Sequence, residues 1–154
     1  LNKFTVQELK SKTPILQTSL EISIQKLGNK TGSFFFLKPN LFNNTAFVVY
    51  ETKQRKSDFY LNPNRYEQSE IDSLIFQLPK NLVPDKLPEP VIVKTPFGEY
   101  VSTVSFNDGI LSYYRKLIQY SGYFVAKDYD AFKEFCKAVN KNDNQQIAFK
   151  LISN

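Results

Sequence analysis

The chain has 154 residues, a formal net charge of +5, and 42% hydrophobic, 15% aromatic and 23% charged residues, a composition that suits one globular domain of ordinary size. It contains no His, no Trp, no Met and a single Cys, so every mechanism that needs an imidazole base or ligand within the chain is excluded. No apolar run reaches the ~18 residues of a transmembrane helix, and the first residues lack a basic-then-apolar leader pattern, so no membrane insertion is expected.

Seventeen of the twenty cations are Lys, spread from Lys3 to Lys150, and the tightest cluster is only Lys53, Arg55 and Lys56. Such dispersal reads as a solvated surface, and no nucleic-acid partner is expected. The single cysteine, Cys136, has no partner for an internal disulfide and leaves the compartment open.

Taken in chain order, Leu16 to Ile24 alternates with a two-residue period, which predicts a half-buried strand. Gly28 to Gly32 has the composition of a turn, and Phe34 to Leu37 forms a short apolar run suited to a central strand buried on both faces. Lys38 to Thr45 is loop-like, Ala46 to Tyr50 suits a short strand, and Lys56 to Leu61 alternates weakly before Pro63 stops it. Ser69 to Leu78 alternates again, with Leu74, Phe76 and Leu78 on one face and Ile71, Ser73, Ile75 and Gln77 on the other. The stretch from Pro79 to Pro96 holds five prolines around Val91, Ile92 and Val93. Proline cannot donate to a sheet ladder, so this segment reads as an edge strand or an extended crossing.

The strongest local signal is a hairpin from Tyr100 to Tyr120, whose Asp108-Gly109 tolerates the positive φ of a type I′ turn. A two-residue loop pairs Asn107 with Ile110, and in that register Phe106 faces Leu111, Val104 faces Tyr113 and Tyr100 faces Leu117. Residues 128–139 predict the one helix, with Tyr129, Phe132, Phe135, Cys136 and Val139 along one stripe. Asp128 and Asp130 near its start and Lys137 and Lys141 near its end complement the helix dipole. Gln146 to Ile152 reads as a last strand. Many strands and one late helix predict a mainly β domain, an antiparallel β-sandwich with one C-terminal helix.

Cys136 is the only thiol available as a nucleophile, but nothing in the chain supplies its base, and its place beside Phe132 and Phe135 marks it as a structural core residue. The acidic group Asp128, Asp130 and Glu134 suits the helix dipole, and no spacing resembles a calcium loop; no metal and no cofactor are expected. Most of the nine Tyr and fourteen Phe fall on core stripes. Tyr114, Tyr120 and Tyr123, with Lys116 adjacent, remain as a candidate patch for a glycan or a peptide.

The order KTGSFFFLKPNLF, RKSDFYL, LPEPVIVKTPFGEY, NDGILSYYR and FVAKDYDAFKEFCKAV resembles the C-terminal β-rich domain of unknown function that follows a transglutaminase-like core in exported multidomain proteins of Bacteroidetes. The pieces that carry the likeness are Leu87-Pro88-Glu89-Pro90, Phe97-Gly98-Glu99-Tyr100, and the helix start with Tyr129, Phe132 and Phe135. The resemblance implies a parent with a papain-type Cys, His and Asp triad upstream. No triad residue carries over, since the chain has no His and Cys136 falls on the family's last helix. With the missing initiator Met, it also implies that residues 1–154 are a single domain from the C-terminal end of a larger, periplasmic or exported protein. The expected role is non-catalytic: an accessory module packed on the transglutaminase-like core, with an independent glycan- or peptide-binding module as the alternative.

Overall fold

The computed structural model describes residues 2–10, 12, 15–24, 26–43, 47–49, 55–62 and 68–152. Its strands are β1 (Lys3–Leu9), β2 (Ile15–Glu21), β3 (Gly28–Thr31), β4 (Phe34–Leu37), β5 (Phe59–Leu61), β6 (Gln68–Gln77), β7 (Leu82–Pro84), β8 (Val91–Thr95), β9 (Gly98–Asn107), β10 (Ile110–Gln119), β11 (Gly122–Phe124) and β12 (Ile147–Leu151). One helix, α1 (Tyr129–Asp143), follows a single 3₁₀ turn at Ala126–Asp128. All the strand pairings are antiparallel, so the domain is mainly β with one late helix.

Two four-stranded sheets make the frame. A long-stranded sheet has the order β6-β10-β9-β8, and a short-stranded one the order β3-β4-β12-β7. The proline-bounded strands β7 and β8 are edges of the two sheets, where a missing donor costs least. The turn between β9 and β10 has Asp108 at φ 45° and Gly109 at φ 79°, and it sets the register expected from sequence, with Asn107 opposite Ile110 and Tyr100 opposite Leu117.

The inward face of the long-stranded sheet has two coverings. At one end Phe76, Leu111 and Tyr113 pack on Leu37, Leu82, Ile147 and Phe149 of the short-stranded sheet. Towards the other end Tyr100 and Leu117, with Val91 and Val93, pack on Phe135, Cys136 and Val139 of α1. The helix thus completes a layer that the short-stranded sheet leaves half filled.

Four expectations need correction. Leu16 to Ile24 is not half-buried: among the described residues β2 pairs only with β1, and Leu16 is 69% exposed. Alternation assigns side chains to faces, but burial requires a covering layer. Gly28 to Thr31 is a strand rather than a turn, because Gly32 at φ 59° lets a two-residue connection join Thr31 to Phe34. Phe34, Phe35 and Phe36 are half-buried and only Leu37 is fully enclosed, although β4 is central as expected. Residues 47–49 are not a strand, while 46 and 50, like Pro63, lie outside the described residues.

The helix runs four residues beyond the expected end. Asn142 and Asn144 donate side-chain hydrogen bonds to the carbonyls of Ala138 and Asn140 at 2.8 Å each, which satisfies acceptors that a helix C-terminus otherwise exposes. Its start is held from outside, where the Ala126 N–H donates to Asp58 Oδ1 at 2.9 Å.

Candidate functional site

Where the two coverings of the long-stranded sheet meet, the inward position on β10 is occupied by Arg115, which is 0% exposed. Three carboxylates surround it. Nε and one terminal nitrogen donate to the two oxygens of Asp143 at 2.8 Å each, in the two-pronged geometry that suits a guanidinium and a carboxylate. The other terminal nitrogen donates to Glu70 at 3.0 Å and Asp72 at 3.1 Å, both from β6. The Tyr100 hydroxyl donates to Asp143 at 2.8 Å, and Asn43 Nδ2 donates to Asp72.

Burial pulls the Arg115 pKa down, but the hydrogen bonds and charge of Asp143, then the bonds of Glu70 and Asp72, raise it above its ordinary value. The guanidinium therefore stays charged and does not act as an acid or a base near neutral pH. The cluster is a fastener: it ties the last turn of α1 to β10 and β6, with a cation beside the negative end of the helix. The alternation of β10 contains the clue to it. Arg115 is in phase with Leu111, Tyr113 and Leu117, and Glu70 and Asp72 are in phase with Leu74 and Phe76. A charge inside an apolar stripe demands opposite charges opposite it.

Cys136 is 1% exposed, and burial pushes its thiol up to about 12, too high to supply thiolate at neutral pH. Burial, then the charge of Asp143, pushes Tyr113 up to about 12 as well. Both groups are held neutral in the fold, so their contribution is complete below their ordinary pKa values of 9.0 and 10.0 and drains as pH rises towards 12. Stability towards urea should accordingly fall across pH 9 to 12, and Cys136→Ala should flatten that fall. In the native protein at pH 8, Cys136 should react with an aromatic disulfide reagent only at the rate of unfolding; rapid labelling of folded chain would contradict its burial.

The remaining sequence candidates occupy different places. Tyr114 and Lys116 lie on the outward face of β10, in line with Ser73 and Thr103 and with Ile71 and Val101 respectively. Tyr120 is six residues further on, roughly 20 Å at strand rise. Tyr123 belongs to β11 and stacks on Tyr60, its direct partner on β5, at 4.3 Å between centroids and 23° between planes. The four residues therefore do not form one patch, because β10 ends at Gln119 and the chain turns into a separate two-stranded ribbon.

Tyr60 and Tyr120 instead border a pocket of about 260 Å³. Phe97, Phe132 and Phe135 form its apolar side, and Asn62 and Gln119 contribute amides. Phe47 is fixed over Phe135 because Asn140 holds its backbone twice, accepting from the N–H at 3.0 Å and donating to the carbonyl at 2.8 Å. Behind the pocket Phe59 meets Tyr129 edge-on at 5.5 Å, and the Arg55 guanidinium lies 4.8 Å over Tyr129. Tyr60 was not legible as a site residue, since its weakly alternating strand gave no face. Among the described residues, no group of three or more His, Cys, Asp or Glu is placed to hold a metal ion.

Residues 32–149 match the model of a domain of unknown function with a solved structure, DUF3858. The chain belongs to the DUF3858 family. The match takes in both sheets in large part, the Arg115 cluster and α1. No curated protein matches this DUF3858 chain. Its fold is similar to part of a crystal structure from Parabacteroides distasonis, of a protein provisionally named a protease, at 15% identity and a TM-score of 0.60. The similarity covers 77% of the present chain and 23% of that longer one. The DUF3858 fold is thus one portion of a larger protein in that case.

Proposed function

We propose that this DUF3858 domain is a non-catalytic accessory module of an exported protein with a transglutaminase-like, papain-type core, and that it packs on that core and helps to shape its substrate cleft. The match to 23% of a longer chain supports a part that works beside other parts. The observation that carries the reading is the outward face of the long-stranded sheet. Ile71, Ile75, Ile92 and Ile110 are 61%, 75%, 67% and 46% exposed there. Pairing places them on one face, around Tyr114 and Lys116. Large aliphatic side chains exposed on one face of a sheet suit contact with another protein surface, and the occupant proposed is the core of the same polypeptide.

In a polypeptide that carries both core and module, the two should unfold in a single calorimetric transition. Ile75→Lys with Ile92→Lys should split that transition while leaving the isolated module's circular dichroism unchanged. An unsplit transition would remove the docking face. The isolated module should show no peptidase or crosslinking turnover, and turnover abolished by Cys136→Ser would overturn the non-catalytic role.

A further inference from the structure

We propose that the pocket beside Tyr60, together with the Tyr60 and Tyr123 stack, is a binding site for a neutral oligosaccharide. This inference is independent of the accessory role and uses a different surface. Tyr123 is 84% exposed and Tyr60 48%, so their stack presents aromatic surface to solvent at the rim of a hollow. A broad aromatic face set beside a concavity matches the apolar C–H face of a sugar ring, and the amides and phenols around it match the ring's hydroxyls.

Charge decides between ligand classes. Among the described residues, the side chains that border the pocket are aromatic, aliphatic, amide or phenol, and none of these carries a charge at neutral pH. Asn62 and Gln119 each carry both donors and acceptors, as do sugar hydroxyls, whereas a charged peptide or an anionic polymer would enter without a counter-charge. The volume of about 260 Å³ falls just below the roughly 300 Å³ at which drug-sized pockets begin. One pyranose ring therefore enters between Tyr120 and Phe132, and the next lies on the tyrosine stack. Phe97 and Phe135 are nearly fully buried and Phe47 is clamped by Asn140, so much of the apolar wall is preorganised.

With no Trp to mask it, tyrosine emission is observable, and three of the nine tyrosines, Tyr60, Tyr120 and Tyr123, lie at the site. The 154-residue chain is titrated to about 10 mM with the hexaoses of β-1,4-glucose, β-1,3-glucose, α-1,4-glucose and β-1,4-N-acetylglucosamine. At least one should saturate, with an affinity that changes less than twofold between low and high salt. Tyr123→Ala, at a position too exposed to disturb the fold, should weaken it tenfold or more, and Tyr123→Phe should retain it. Lack of saturation by all four sugars would overturn the proposal. So would binding unaffected by Tyr123→Ala, or a proline-rich decapeptide that saturates the site where the sugars do not.

Discussion

Arg115→Ala should destabilise the domain by about 3–5 kcal/mol, the range for removing one partner of a buried charge network. The loss comes less from the missing bonds than from what stays behind. Asp143 retains only 4% of its side chain in solvent, with Asp72 at 14% and Glu70 at 19%, so three carboxylates would face one another without a cation. Arg115→Lys should recover only part of the loss, because one ammonium cannot make the paired bond to Asp143 and also reach Glu70 and Asp72. Urea denaturation followed by tyrosine fluorescence measures both. A loss below about 1 kcal/mol for Arg115→Ala, as at an exposed ion pair, would show that water replaces the guanidinium and that the cluster does not fasten the helix.

The same residue shows where sequence reading succeeds and where it stops. Local signals with a fixed geometry translated directly: Asp108-Gly109 set the turn and with it the partners across ten residues of β9 and β10. Prolines placed β8 at an edge, and the apolar stripe placed α1. Signals that depend on a partner far along the chain did not translate. The stripe from Leu111 to Leu117 implied a core, but the partners of Arg115 come from β6 and from Asp143, 43 and 28 residues away. Likewise Tyr123 became part of a stack only through Tyr60, which a two-stranded pairing 63 positions distant in sequence brings opposite it. The exposure of β2 depended on which layers pack over it, and alternation contains no such information.

The second large effect lies on α1. The stripe from Tyr129 to Val139 gives Phe132 and Phe135 equal standing as core residues, so truncation of either would cost about 3–5 kcal/mol. Their surroundings separate them. Phe135 is 2% exposed, packed with Cys136 and Val139 against Tyr100 and Leu117, whereas Phe132 is half-buried and borders the pocket. Phe135→Ala should therefore cost about 3–5 kcal/mol, because the helical segment is tied down before it by Asp58 at Ala126 and after it by Asn140 and the Arg115 cluster, and collapses little into the void. Phe132→Ala should cost less, about 1–2 kcal/mol, since its ring is only partly buried and one side of it faces the pocket. The pair is a differential measurement on one helix, insensitive to errors in the unfolded-state reference. Equal losses at the two positions would mean that the pocket closes in solution. A loss below about 1 kcal/mol at Phe135 would mean that the helix does not seal the sheet at all, and the Arg115 fastener would then have nothing to hold in place.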